Sequence, residues 1–228
     1  MLAFRVLSSF LDVKLKRCYA TPTDVGNAVY RSVGLVHHTI QVPLAILVLC
    51  NPAFWHDRLH HSSPLSFAMV IISSGYFMHD TVHAIEFVSV QGPAYILHGL
   101  GCSAVFLFSL LQSPPALHFY GAGFLLWEVS SFFVHFRWFA YRHNLSSGLQ
   151  MANGLLLVLS FFGARIVWGF YLTYLFVLDS VHIASPAFRY TLYASNLALN
   201  ALNVWWFALI LGKAVDTLRG SKPRSKKE

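Results

Sequence analysis

Long apolar runs, separated by short polar stretches, dominate the chain. Each run approaches the roughly 20 apolar residues that a membrane-spanning helix needs. The runs are continuous, whereas the strands of a membrane barrel alternate. Lipid offers backbone groups no hydrogen-bond partner, which also favours helices. The pattern therefore predicts an all-α integral membrane protein with six transmembrane helices, at residues 32–50, 65–87, 94–112, 116–136, 149–178 and 190–212.

Prolines and run lengths refine the predicted helix ends. Pro64, Pro93 and Pro186 each lie beside the start of a predicted span, where proline is tolerated. The fifth span would be about 45 Å long at a rise of about 1.5 Å per residue, which exceeds the thickness of a bilayer. We expect this helix to tilt, to protrude, or to bend near Gly163 or Gly169.

Composition supports the membrane assignment, and the distribution of charge predicts the orientation. Hydrophobic residues make up 56% of the chain and charged residues 11%, against about 25% charged in soluble domains. Thirteen of the lysines and arginines lie on the side that holds both termini, and two, Arg58 and Arg189, lie on the other. The positive-inside rule then predicts cytoplasmic termini. Because topology accounts for the net charge of +7, we expect no nucleic-acid partner.

The charge pattern also suggests three segments. Residues 28–215 form the predicted six-helix domain, and residues 216–228 form a basic cytoplasmic tail. Residues 1–27 are expected to form a basic interfacial segment, because Arg5 and Asp12 interrupt the apolar stretch that a signal peptide would need. A mitochondrial presequence is the alternative for this segment. The three cysteines are too few and too scattered for a disulfide framework.

Polar side chains interrupt the predicted spans. Ionisable groups are costly in lipid, so each is a candidate functional residue. Several lie about 6–14 Å from the cytoplasmic end of their span, and Arg165 lies about 24 Å from it. This shared depth predicts a polar cavity open to the cytoplasm. The alternative is a set of interhelical hydrogen bonds, worth about 0.6 kcal/mol each. The candidates are His79, Asp80, His83, His98, Glu128, Asn153, Arg165, Asn196, Asn200 and Asn203.

A metal site is a further possibility that the histidine spacing raises. His79 and His83 have a usable ligand spacing on a helix, and His56, His60 and His61 resemble a histidine box of membrane di-iron desaturases and hydroxylases. The two clusters would be separated by about 21 Å of helix, and no third box follows. We therefore expect no metal and no cofactor.

Several short motifs, in this order, resemble the TLC domain, which translocating-chain-associating proteins, ceramide synthases and a ceroid-lipofuscinosis protein share. The similarity extends over about residues 28–215. The motifs are Ser32 with His37 and His38, Gly75-Tyr76-Phe77-x-x-Asp80, His98, Glu128-Val129-Ser130 with Phe133 and Arg137-Trp138, Asn153-Gly154, and Phe161-Phe162-Gly163-Ala164-Arg165.

The resemblance implies a six-helix bundle around a central, lipid-accessible cavity, in the endoplasmic reticulum or another endomembrane. In ceramide synthases, histidines and aspartates support acyl transfer from acyl-CoA to a sphingoid amine. Carried over, these roles fall on Asp80 and His98, with His83 as a possible base in place of a missing partner. Two positions depart from the synthase pattern: Gly99 replaces a second histidine, and His83 stands where an aspartate is expected.

Two functional hypotheses follow. In the first, the protein binds membrane lipid in the cavity and influences the composition or trafficking of lipids. In the second, it is an acyl-CoA-dependent N-acyltransferase of the ceramide-synthase type, in which Asp80, His83 and His98 are catalytic. The ligand is a membrane lipid in the first hypothesis and acyl-CoA in the second. A di-iron lipid hydroxylase or desaturase is a third hypothesis.

Overall fold

Every regular element in the computed structural model of the chain, which describes residues 1–183 and 185–219, is helical. No strand occurs within those residues. The helices are α1 (Leu2–Leu15), α2 (Pro22–Leu49), α3 (Pro52–His56), α4 (Pro64–Glu86), α5 (Val88–Gln91), α6 (Pro93–Leu111), α7 (His118–Leu125), α8 (Glu128–Arg142), α9 (Ser147–Phe161), a π-helical segment (Phe162–Val167), α10 (Trp168–Ser180) and α11 (Pro186–Leu218).

Four of these helices are long and apolar enough to cross a membrane. They are α2, α6, α11 and the continuous helix Ser147–Ser180 that runs from α9 through the π segment to α10. The prediction of an all-α membrane protein is thus confirmed. The count of six spans and the orientation of the termini stay predictions, because α4 carries many polar residues and the predicted fourth span is divided between α7 and α8.

Local sequence explains where the main helices begin. Proline occupies the first turn of α2, α4, α6 and α11, where its missing N–H costs no hydrogen bond. The side chains of Thr21, Ser63, Ser146 and Ser185 each accept a backbone N–H from the first turn of the following helix. These caps satisfy donors that would otherwise lack partners. The predicted helix starts near Pro64, Pro93 and Pro186 agree with this arrangement.

The predicted fourth span, at 116–136, is not one helix. α7 ends at Leu125 and α8 begins at Glu128, so the backbone is irregular at Leu126 and Trp127. Irregular backbone at membrane depth is tolerated only where protein groups satisfy it. Here the carbonyl of Trp127 accepts a hydrogen bond from Arg165 Nε, at 3.1 Å. The same carbonyl accepts hydrogen bonds from the N–H and the hydroxyl of Ser130, so Arg165 adds a bond from another helix to these local ones.

The long helix Ser147–Ser180 contains six π-helical residues, Phe162–Val167. Gly163, one of the two positions where a bend was expected, lies in this segment, and so does Arg165. A π-helical turn widens the helix and changes the direction in which its side chains project, and such turns are frequent at functional sites. Arg165 is only 5% exposed and lies on the inner side of the bundle.

The N-terminal helix α1 packs against α2 and α4. The ring of Phe4 makes an edge contact with Tyr76 at 5.5 Å between centroids, and Ser8 Oγ lies 2.9 Å from His79 Nε2. Leu2, Val6, Phe10 and Val13 are exposed on its outer side. An interfacial role for residues 1–27 stays a prediction. Most of the predicted basic tail, from residue 220 onward, lies outside the described residues.

The close packing of α4 on α6 at Gly99 yields a test of the fold. A Cβ atom at Gly99 would lie 3.0 Å from Thr81 Cα and 2.6 Å from Thr81 Oγ1. We expect Gly99→Ala to destabilise the protein by about 1–3 kcal/mol, because the backbone of α4 must move to relieve the overlap. Thermal unfolding in detergent measures this effect.

Gly212→Ala is the matched control, since a Cβ at Gly212 in α11 would meet no atom within 4 Å. Replacing an unhindered helical glycine by alanine is expected to be neutral or slightly stabilising. Equal melting temperatures of the two variants would contradict the packing of α4 against α6.

Candidate functional site: a polar cavity inside the helix bundle

A cavity of about 890 Å³ lies between α2, α4, α6, α8, α9 and α11. Its inner end is lined by buried charged and polar residues, among them Asp80 and Glu128. Its outer end is lined by exposed residues such as Tyr141 and Lys213. The cavity therefore reaches the surface at the end of the bundle where α2 and α9 begin and α8 and α11 end.

A buried ion pair occupies the inner end. Arg165 Nη2 lies 3.8 Å from Glu128 Oε2, and the two residues are 5% and 6% exposed. Isolated buried charges are strongly unfavourable, and such a pair is stable only when further hydrogen bonds satisfy its donors and acceptors. Arg165 donates to Ser130 Oγ at 2.8 Å, Ser131 Oγ at 2.9 Å, Trp127 O at 3.1 Å and Asn203 Oδ1 at 3.1 Å.

Three histidines extend from this ion pair. His38 Nδ1 lies 3.4 Å from Glu128 Oε2 and 3.3 Å from His37 Nδ1. On the other side of the His38 ring, Nε2 lies 3.2 Å from His135 Nε2. A neutral imidazole has one donor and one acceptor nitrogen. The row of rings can therefore hold a proton beside Glu128 or transfer it along hydrogen bonds.

A glycine on α2 makes room for the row of histidines. A Cβ atom at Gly34 would lie 2.6 Å from His135 Nε2. Nearby, the ring of Tyr76 stacks on His37 with 3.7 Å between centroids. Residues from α2, α4 and α8 therefore fix the position of these imidazoles, which is the rigidity that a binding or catalytic centre requires.

Asp80 and His98 line the same cavity. Asp80 is 5% exposed, and its carboxylate lies near the hydroxyl of Tyr30 on α2. The ring of His98 lies 5.5 Å from that of Trp206, and its Nε2 lies 3.8 Å from Cys102 Sγ. Of the residues predicted from the sequence, Asp80, His98, Glu128 and Arg165 are thus brought together around one space.

The other histidines predicted on α4 lie outside the cavity lining. His79 contacts Ser8 of α1, as described above. The ring of His83 stacks between Tyr30, at 4.5 Å, and Phe87, at 4.4 Å. His79 and His83 share one face of α4, but that face does not line the cavity. Residues of α1 and α2 cover it, Ser8 at His79 and Tyr30 at His83.

The four predicted asparagines make interhelical hydrogen bonds and are not part of the cavity lining. Asn153 Nδ2 donates to Phe133 O at 3.1 Å, which ties α9 to α8. Asn196 and Asn200 both bond to Thr173 and so join α11 to α10. Asn203 Oδ1 accepts a hydrogen bond from Arg165 Nη1 at 3.1 Å, which ties α11 to the buried ion pair. For these residues the structure shows the alternative prediction, interhelical hydrogen bonds, and not a place in the cavity lining.

Several lining residues were not among the predicted site residues. His38 contacts Glu128 and His135 contacts His38, and Tyr30, Arg31 and Tyr76 line the same cavity. The spacing of Glu128 and His135, seven residues apart on one helix, was the available signal, because it places both on the same face. His38 and His135 are 97 residues apart in sequence, so their contact exists only in the folded chain.

An ion pair ties the bundle together at the end opposite the cavity opening. Arg58, in the segment between α3 and α4, donates from Nε and Nη2 to Asp179 at 2.6 and 2.8 Å. The hydroxyl of Tyr120 donates to the same carboxylate. The hydrogen bonds to Asp179 raise the pKa of Arg58 above its ordinary value. Arg58 therefore stays charged at every physiological pH.

Comparison with known proteins agrees with this architecture. The TLC domain family matches residues 27–212. Two similar proteins are an uncharacterised TLC domain-containing protein of Schizosaccharomyces pombe and another of Saccharomyces cerevisiae. The first is 30% identical over 139 residues, covering 59% of this chain and 46% of that protein. The second is 30% identical over 135 residues, covering 55% and 42%.

A third relative is topoisomerase I damage affected protein 4 of Saccharomyces cerevisiae, which is 30% identical over 151 residues, or 62% of this chain and 53% of that protein. The chain spans about half the length of the curated relatives it matches. No solved structure matches it. The helices and their cavity define a multi-pass membrane protein, and the extent of the family match identifies it further. The chain belongs to the TLC domain family.

The buried ion pair predicts strong coupling between Glu128 and Arg165. We expect Arg165→Met to destabilise the protein by about 3–5 kcal/mol, because it leaves Glu128 without its cation. Adding Glu128→Gln removes that buried charge, so the double variant should lose less stability than the sum of the two single losses. A double-mutant cycle of thermal unfolding in detergent measures the coupling.

Arg189→Met is the control, since Arg189 is half-buried at the opposite end of the bundle and donates a long hydrogen bond of 3.4 Å to Val181 O. We expect it to change stability by less than about 0.5 kcal/mol. If the losses from Arg165→Met and Glu128→Gln add to within about 0.5 kcal/mol, as those of independent sites do, the two groups do not form a coupled pair.

Proposed function

We propose that this protein binds a membrane lipid in its cavity and acts in lipid homeostasis, through the composition or the trafficking of membrane lipids. One observation carries this proposal: a space of about 890 Å³ has charged groups at its two ends and apolar walls along its side. Its volume falls in the range of about 300–1,000 Å³ typical of ligand pockets. An amphiphile matches such a space, because its polar part can contact the charged groups and its apolar part can contact the apolar walls.

The apolar wall supports the assignment of a lipid. Leu155 on α9 and Trp205 and Leu209 on α11 line the cavity and are also exposed on the outside of the bundle. In a membrane-embedded protein, such residues face the acyl chains of the bilayer. A lipid chain that entered the cavity between α9 and α11 would stay in apolar surroundings and would not have to cross water, which the hydrophobic effect opposes.

The polar inner end supports selection among lipids. Glu128, Asp80 and His38 offer carboxylates and an imidazole to hydroxyl, amide or amine groups, and a buried hydrogen bond is lost if the ligand lacks the matching group. With six spans and cytoplasmic termini, the cavity would open toward the cytoplasm. Residues 28–215 would then form the complete lipid-binding domain, between the interfacial segment and the basic tail, in the endoplasmic reticulum or another endomembrane.

Filling the cavity tests this proposal. Val134 lines the cavity on α8, and Val134→Phe places a ring where a lipid chain would lie. We expect co-purified lipid, measured by native mass spectrometry, to fall by about tenfold, because burial of each displaced methylene is worth about 0.8 kcal/mol. Val177→Phe is the matched control, since Val177 on α10 is exposed and does not line the cavity. Equal lipid content in the two variants would refute lipid binding in the cavity.

A second candidate function is acyl-CoA-dependent N-acyl transfer of the ceramide-synthase type. The observation that favours it is the position of His98 and Asp80 on the walls of one cavity. In this reaction the amine attacks the thioester carbonyl, His98 accepts the proton that the nitrogen loses, and that proton leaves with the CoA thiolate as the free thiol. His83, stacked against Tyr30, lies beside the cavity and would act only indirectly.

Purified protein, labelled acyl-CoA and a sphingoid base test this candidate. If the protein is an acyltransferase, His98→Ala and Asp80→Ala should each reduce turnover by about 100-fold or more, the usual contribution of a general base. His79→Ala should retain activity, since His79 neighbours Asp80 in sequence but contacts Ser8 of α1. No turnover in the unmodified protein would refute the candidate, and unchanged turnover in His98→Ala would exclude His98 as the base.

A further inference from the structure

Three cations line the outer end of the cavity, one from each of three helices. They are Arg31 on α2, Arg137 on α8 and Lys213 on α11. Within residues 1–183 and 185–219, none of these three side chains makes an ion pair or donates a hydrogen bond. By contrast Arg142, an exposed neighbour outside the cavity, pairs with Asp24 at 2.7 Å. The uncompensated positive charge therefore faces the cavity.

The two arginines are held in place by aromatic rings. Arg31 Cζ lies 5.4 Å from the ring of Trp138, and Arg137 Cζ lies 4.9 Å from that of Tyr141. The N–H bonds of a guanidinium lie in its plane, so a guanidinium placed over an aromatic ring can still donate them to other partners. Arg31 Nε is also buried without a hydrogen-bond partner. A buried donor without an acceptor is costly, and a ligand oxygen near this guanidinium would reduce that cost.

The acidic residues of the cavity do not neutralise these cations. Asp80 and Glu128 are the acidic side chains of its described lining, and both are at the inner end. Glu128 is engaged with Arg165 and His38, and Asp80 lies near the Tyr30 hydroxyl. The positive-inside rule explains why basic residues are frequent at this end of the bundle. It does not explain why three of them line the cavity without carboxylate partners.

We propose that Arg31, Arg137 and Lys213 bind the phosphate of an amphiphile whose acyl chain lies in the cavity. This inference rests on the proposed binding of a lipid. Phosphate suits the set because two planar guanidinium groups can each donate two N–H bonds to its oxygens, while an ammonium adds a point charge. The phosphate belongs either to a phospholipid headgroup or to the CoA portion of an acyl-CoA.

Binding of three probes to the full chain in nonionic detergent tests the proposal. The probes are dioleoyl phosphatidic acid, oleoyl-CoA and dioleoylglycerol, which lacks a phosphate. We expect at least one phosphate-bearing probe to bind about tenfold more tightly than dioleoylglycerol, since hydrogen bonds to charged groups are the stronger ones. The difference should shrink at high salt, because the outer end of the cavity is open to solvent.

Variants separate the cavity cations from general surface charge. Arg31→Gln with Arg137→Gln should remove most of the preference for phosphate and leave the affinity for dioleoylglycerol unchanged. Lys213→Glu should weaken phosphate binding as well, and it carries little risk to folding because Lys213 is exposed. Arg142→Gln is the matched control and should keep the preference.

Each outcome has a definite meaning. Equal affinity of all three probes, or an equal loss in Arg142→Gln and in the cavity variants, would overturn the phosphate site while leaving lipid binding intact. Failure of every probe to bind would instead refute the proposed function. If phosphatidic acid alone shows the preference, the site binds a lipid headgroup, and if oleoyl-CoA alone shows it, the site binds the CoA phosphates.

Discussion

Neutralisation of one buried arginine constrains much of this bundle. Arg165 projects inward from a π-helical segment, and a lone cation there would be strongly unfavourable. Glu128 supplies the opposite charge, while Trp127, Ser130, Ser131 and Asn203 supply acceptors. These partners come from α8, α11 and the break between α7 and α8. Three parts of the chain therefore meet at Arg165, and they form the inner end of the cavity.

The same contacts explain two irregularities that would otherwise weaken a membrane helix. At the break before Glu128, the carbonyl of Trp127 accepts hydrogen bonds from Ser130 and from Arg165 Nε. The π-helical segment Phe162–Val167 contains that arginine. Each irregularity thus occurs where its polar group has a partner inside the protein, as membrane depth requires. A site that tolerates such backbone is held by the whole bundle and not by one helix.

The cavity separates two kinds of polar group. At the inner end, the charges of Glu128 and Arg165 compensate each other and are fixed by hydrogen bonds. At the outer end, Arg31, Arg137 and Lys213 lack carboxylate partners. The inner group suits close recognition of a neutral polar moiety, because it is buried and preorganised. The outer group suits an anion that approaches from water, since attraction there acts over longer distances but is screened by salt.

The sequence by itself determined the all-helical membrane class and the TLC family, because apolar run length and short motifs are local properties. It also selected Asp80, His98, Glu128 and Arg165, since charge within a span is visible without a structure. Only the tertiary structure decided which polar residues share the cavity. It placed His38 beside Glu128 and His135 beside His38, and it turned His79 toward α1. It also placed Asn153, Asn196 and Asn200 in interhelical hydrogen bonds. Depth along a helix can be counted from sequence, whereas the direction of a side chain depends on which neighbours cover each face.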